Sequence, residues 1–220
     1  MIPLKDNVPV TGIPFITLAL IVINGYFFYL ELTLPDPALI KLIGEYGLVP
    51  LRFVKDFASL NIGIATFEPL LTNIFLHGGW MHIIGNMWYL WIFGGSLEYC
   101  LGHSRFLLFY IACGLIANLT QIIVDPASSI PVIGASGAIS GVLGAYAICF
   151  PGAKIKTLIP IIIIFTIVEI PALLFLGLWF FLQLLNGASA LSMAGAGIAW
   201  WAHIGGFVAG VAMNRFLVKR

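Results

Sequence analysis

The chain has 220 residues, of which 61% are apolar and only 9% charged, with a formal net charge of +1. Ordinary soluble domains carry roughly 25% charged residues, so the composition excludes a soluble globule and indicates an integral membrane protein. Near-neutral charge without a basic run gives no case for a nucleic-acid partner.

From the N-terminus, Met1 to Gly12 holds one lysine and one aspartate. The apolar run after it continues to about Leu30, past the ~7–15 residues of a signal-peptide core, and has no small-residue cleavage site. It reads as a retained first span. A transmembrane helix needs roughly 20 mostly apolar residues. Six stretches qualify in chain order: Pro14–Leu32, Met81–Leu101, Arg105–Val124, Ser136–Phe150, Ile167–Leu185 and Ala199–Val218. The expectation is an all-α polytopic bundle forming a single domain over residues 1–220.

Between the first two spans, residues 33–79 mix apolar residues with Asp36, Lys41, Glu45, Arg52, Lys55, Asp56 and Glu68. That mixture suits short amphipathic helices lying in the membrane interface. The fourth span is short and glycine-rich, so it begins below the membrane surface, facing a wet cavity. Ahead of the fifth, Thr157 to Leu185 would run about 43 Å as a helix, too long for a straight crossing of a ~30 Å core. Pro160 and Pro171 can break it, with Glu169 between them. Either a short interfacial piece precedes the span or the helix is long and bent; the first is favoured. Residues 186–197 form a loop before the last span. Cys100, Cys113 and Cys149 are scattered without a CxxC pair and read as small core residues.

Basic residues set the orientation. With the N-terminus in the cytoplasm, Lys5, Arg105, Lys154, Lys156, Arg215, Lys219 and Arg220 lie inside. Only Lys41, Arg52 and Lys55 lie outside, all in the long first loop. Both termini are then cytoplasmic, and Ser136 and His203 share the outer leaflet. Asp125 falls in an outer loop, whereas Glu98 and Glu169 fall toward the inner half. Glu98 is expected to make a cytoplasmic-side contact near Arg105, with His103 exposed and uninvolved.

Polar groups at membrane depth are costly and mark function by default. Ser136 adjoins Gly137 and Gly141, and His203 lies about one turn before Gly206 and Gly210. Small residues at four-residue spacing let helices approach closely, which would bring hydroxyl and imidazole together. A hydroxyl beside an imidazole is an activated nucleophile, yet serine in a glycine stripe is also ordinary packing, and spacing alone leaves both readings open. His82 and Asn86, four apart, share a helix face at the same depth and are suited to stabilise an oxyanion. His77 reads as structural. No carboxylate or cysteine joins the histidines, so no metal site is expected.

Four segments carry a further inference: His77-Gly-Gly-Trp-Met-His82 through Asn86, Phe93-Gly-Gly-Ser-Leu-Glu98, Gly134-Ala-Ser136-Gly137 and Ala202-His203-Ile-Gly-Gly206. In this order across six spans, they resemble the rhomboid family of intramembrane serine proteases. The resemblance implies a six-helix rhomboid-like bundle without metal or cofactor, cleaving single-span membrane proteins. Ser136 would be the nucleophile and His203 the general base; His82, Asn86 and the Ser136 backbone N–H would form the oxyanion hole. Trp179 and Phe180 would form a gate against the second span, and Met193 would lie in the lid 186–197. The expected location is the plasma or inner membrane, the site opening to the extracytoplasmic side. Ser140 departs from the family pattern, which often has an aromatic there to stack on the histidine. A Trp-Arg pair in the first loop is also missing. A small transporter and a non-catalytic client binder of the same fold are the competing readings.

Overall fold

The helix nearest the N-terminus, α1 (Phe15–Thr33), starts directly after Pro14 and is capped from a distant part of the chain. In a computed structural model describing residues 1–161, 164–190 and 198–217, the Glu98 carboxylate accepts the N–H groups of Ile16 (2.8 Å) and Thr17 (2.7 Å) and the Thr17 hydroxyl (2.7 Å). A carboxylate at a helix N-terminus satisfies orphan donors and complements the positive end of the helix dipole. This corrects one expectation. Glu98 is buried to 1% exposure against α1, and His103, exposed as expected, is not uninvolved, because its Nδ1 bonds the same carboxylate. Glu98→Ala is expected to lower stability by roughly 2–3 kcal/mol, because several buried donors lose a charged acceptor. Thermal unfolding in detergent measures the loss.

The first long connection folds into α2 (Asp36–Tyr46), α3 (Pro50–Ala58), α4 (Ile64–Phe67), α5 (Pro69–Thr72) and a 3₁₀ turn, Asn73–Phe75. Arg52 donates to the carbonyls of Gly44, Glu45 and Gly47, placing a cation where α2 ends. The second expected span is a continuous helix of three parts: α6 (Trp80–Tyr89), a π-helical stretch Leu90–Gly94 and α7 (Gly95–Leu101). Then follow α8 (His103–Val124), α9 (Ser136–Cys149), α10 (Ala172–Ala190) and α11 (Trp200–Leu217).

Helix α9 is the centre of the fold, buried from Gly137 through Ala147. Its small residues account for this. A Cβ on Gly206 would overlap the Gly137 carbonyl, and one on Gly210 the Gly141 carbonyl, so α9 and α11 touch backbone to backbone. On the other side a Cβ on Gly137 would lie 2.8 Å from the Ala117 Cβ of α8. Among the described residues, α1, α8 and α10 are long and apolar enough to cross a membrane, with α9 a shorter apolar helix. Their outward residues fit lipid: α10 exposes Leu174, Leu178, Phe181 and Leu185 while burying Phe175 and Leu176.

The all-α expectation is corrected. β1 (Ile2–Asp6), β2 (Lys154–Ile161) and β3 (Ile164–Pro171) form an antiparallel sheet in the order β1-β2-β3. The interfacial piece expected before the fifth span is thus a hairpin, and the helix starts at Ala172 rather than Ile167. β-Branched residues favour this outcome, since Ile, Val and Thr dominate 155–170 and suit a pleated surface. Pro160 lies beyond the last residue of β2 that pairs with β1, where a missing N–H breaks no ladder on that side. Asp6 fastens β1 to the bundle, accepting the hydroxyls of Ser96 (2.6 Å) and Tyr146 (2.8 Å). Glu169 belongs to β3, within 4.0 Å of the Lys154 ammonium at an exposed position. Cys100 and Cys149, far apart in sequence, bring their sulfurs within 3.6 Å as free thiols. The expected lid is shorter than 186–197, because α10 continues to Ala190; Met193 lies outside the described residues.

Candidate active site

Ser136 is the first residue of α9 and His203 lies in the first turn of α11. Close approach of these helices brings Ser136 Oγ to 2.8 Å from His203 Nε2. Both side chains are partly exposed to a cavity of about 1440 Å³, whose wall also includes His82, Asn86, Trp179 and Gln183. Because Ser136 opens its helix, its N–H lies among the first-turn donors that no carbonyl of the same helix satisfies. The expected pair is therefore together, with a helix-end backbone donor beside it.

Opposite stand His82 and Asn86, one turn apart on α6. The Gly78 N–H donates to His82 Nδ1 at 3.3 Å, so the proton of a neutral His82 ring sits on Nε2. Asn86 is buried, and its amide nitrogen lies 3.0 Å from His77 Nε2. His77 occupies the loop before α6, where burial, with His82 adding, pushes its imidazole down to about 4. At neutral pH the ring is uncharged and can accept one Asn86 N–H, leaving the other for a ligand. The Glu31 carboxylate of α1 in turn accepts the His77 backbone N–H at 3.1 Å. His77 thus orients a neighbouring amide.

Gly134 lets the two halves meet. Its φ of +113° is open to glycine but strained for other residues, and an added Cβ would lie 2.5 Å from His82 Nε2. The segment before Ser136 is tied down by the Gly134 N–H to the Asn73 carbonyl (2.8 Å) and by paired backbone bonds between Leu48 and Val132. Asn73 and Asn118 exchange side-chain hydrogen bonds at 3.0 and 2.9 Å beneath it. Gln121 of α8 accepts the Ala202 N–H at 3.2 Å, fixing the start of α11.

Ser140 donates its hydroxyl to the Ser136 carbonyl at 2.7 Å and offers nothing to the histidine. The ring is held from α10 and α11 instead. Trp179 lies at 6.2 Å and 35° to it, Trp200 edge-on at 6.0 Å, and Gln183 Oε1 is 2.9 Å from Nδ1. Trp179 and Phe180, expected to gate against the second span, both stack on Phe207 of α11. Reading the sequence overlooked Gln183, Asn73, Asn118 and Gln121. The signal was present for three of them: an amide inside an apolar helix is expensive unless it is bonded to something.

A family model described as the rhomboid domain matches residues 65–220. The rhomboid protein YdcA of Bacillus subtilis is 41% identical over 88 residues, which cover 39% of this chain and 44% of YdcA. A mitochondrial presenilin-associated rhomboid-like protein of Danio rerio is 30% identical over 72% of the chain and 39% of its own length. The mitochondrial rhomboid protein 1 of Saccharomyces cerevisiae is 29% identical over 76% of the chain and 47% of its own. The chain thus spans less than half the length of each of these relatives.

Proposed function

The chain belongs to the rhomboid family, and on that premise we propose that it is an intramembrane serine endopeptidase. One observation carries the reading: a hydroxyl 2.8 Å from an imidazole nitrogen on the wall of a large cavity that also holds two candidate oxyanion donors. In the proposed reaction His203 Nε2 takes the Ser136 proton as Oγ bonds to the scissile carbonyl carbon. The carbonyl π pair moves to its oxygen, which His82 Nε2–H, Asn86 Nδ2–H and the Ser136 N–H receive. Collapse breaks the C–N bond, and the imidazolium returns the proton to the leaving amine. Water then repeats the sequence on the acyl-enzyme and frees Ser136. No metal or cofactor enters any step.

The substrates proposed are single-span membrane proteins. A scissile peptide must leave its helix to reach Ser136, so Gly, Ala or Pro near the membrane edge would favour cleavage by weakening the helix there. A small residue just before the cut suits a glycine-lined site. The proposal includes six spans, one domain over residues 1–220, both termini in the cytoplasm and a site open to the outside of the cell membrane.

Purified protein reconstituted with a single-span reporter tests it, together with labelling by a serine-directed fluorophosphonate. Cleavage and labelling, both lost in Ser136→Ala, are expected. Capture of the reporter without cleavage would favour a client binder. Asn86→Ala is expected to lower kcat on the order of 10²–10³-fold while leaving fluorophosphonate labelling detectable, because one oxyanion donor is removed and the dyad remains.

A further inference from the structure

The residue that Ser140 leaves undone is supplied by α10. We infer that Gln183 is a positioning residue that holds His203 in the tautomer able to accept the Ser136 proton, an inference resting on the protease reading above. Gln183 is 7% exposed on a helix whose neighbouring Leu182, Leu184 and Leu185 are exposed. A primary amide in such a place must bond at both ends or be penalised.

Both ends are bonded, and the order of the bonds matters. The Gln183 Nε2 donates to the Trp179 carbonyl one turn earlier at 3.3 Å. This occupies the amine end and directs Oε1 to His203 Nδ1 at 2.9 Å. The reversed amide would set its oxygen against the Trp179 carbonyl, two acceptors facing each other. A carbonyl oxygen can only accept, so Nδ1 carries the ring proton. A neutral imidazole has a single N–H, which leaves the lone pair on Nε2, 2.8 Å from Ser136 Oγ. The backbone of α10 thus sets the amide, the amide sets the tautomer, and the tautomer makes Nε2 a base. Trp179 and Trp200 restrain the ring plane, while Gln183 fixes rotation within it.

An amide brings no negative charge, so its contribution is orientation rather than stabilisation of the imidazolium. Enforcing the wrong tautomer in a Ser-His-Asp triad costs ~10⁴ in kcat; releasing a ring to sample both should cost less, on the order of 10–10².

The test uses the full chain in proteoliposomes, with Gln183→Leu and Gln183→Glu compared against Ser136→Ala. Gln183→Leu should lose ~10–10² in kcat with KM within about twofold, and Gln183→Glu, which keeps an acceptor, should recover most of it. Nitrogen-15 NMR of ring-labelled histidine gives an independent readout, the His203 signals being assigned by their loss in His203→Ala. The unmodified protein should show protonated Nδ1 and bare Nε2, and Gln183→Leu should show averaged nitrogens. Wild-type kcat in Gln183→Leu, a raised KM with unchanged kcat, or a protonated Nε2 in the unmodified protein would each overturn the inference. If Ser136→Ala still cleaves, the protease reading itself fails. If Ser136→Ala is dead and Gln183→Leu is fully active, only the role of Gln183 falls.

Discussion

Cleavage of a single-span reporter by Ser136→Ala is expected to fall by on the order of 10⁶-fold, and His203→Ala should fall nearly as far. Neither group does its chemistry alone. Without the imidazole the hydroxyl keeps its proton, and without the hydroxyl the imidazole has nothing to activate. The double variant should therefore be no slower than the worse single one, because residues acting as a unit are strongly non-additive. What remains would come from binding and from the donors of His82, Asn86 and the α9 N-terminus. Full kinetics on the four proteins, with folding verified by unchanged thermal unfolding, provide the measurement. Additive losses would mean that the 2.8 Å contact between Ser136 and His203 is not a working pair.

The second large effect is expected at Gly206. Its missing side chain allows the α11 backbone to rest on the Gly137 carbonyl. Gly206→Val places branched carbon where that carbonyl lies, and backbone cannot rotate aside as a side chain can. Overpacking a well-filled interior costs typically 1–3 kcal/mol, and the rigidity here points to the upper part of that range or above. Function should suffer more than stability. Forcing α9 and α11 apart by even ~1 Å lengthens the Ser136–His203 contact, and misplacement on that scale can cost ~10² in rate. Cleavage should thus be lost in molecules that still unfold cooperatively in detergent. Gly25→Val is the control, because a Cβ there meets nothing within 4 Å. Equal activity in the two variants would remove close helix packing from the explanation of the site.

Much of this was legible in the sequence because membrane helices leave strong signals. The run Phe15–Thr33 was placed to within one residue at each end, and the start of α9 at Ser136 was read correctly. Gly137, Gly141, Gly206 and Gly210 announced a close crossing by their spacing alone. The hairpin was not legible as such. An apolar run of Ile, Val and Thr fits a buried strand or a membrane helix equally by hydrophobicity, and only β-branching and the two prolines tilt the choice. Pairing of Asp6 with Ile155 joins residues from opposite parts of the chain, which no local pattern encodes. Gln183 was missed for a different reason. The aromatic pair Trp179 and Phe180 dominates that stretch of pattern, although Gln183 lies one turn from Trp179 on the same stripe. Glu98 finds its buried partners more than eighty positions away in α1, a pairing that its neighbours in sequence do not signal.

The π-helical stretch Leu90–Gly94 has a consequence for how this chain tolerates change in length. A π turn behaves as one residue added to an α-helix, and one residue is worth about 100° of rotation. The half bearing His82 and Asn86 is therefore out of phase with the half bearing Glu98, and both need their present headings. Asn86 looks across to Gly134, while Glu98 looks back to the start of α1. A one-residue deletion between Leu90 and Gly94 would tidy the helix locally and turn one of these side chains away from its partner. Within this short window the residue count acts as a dial setting, held independently of which apolar residues supply it.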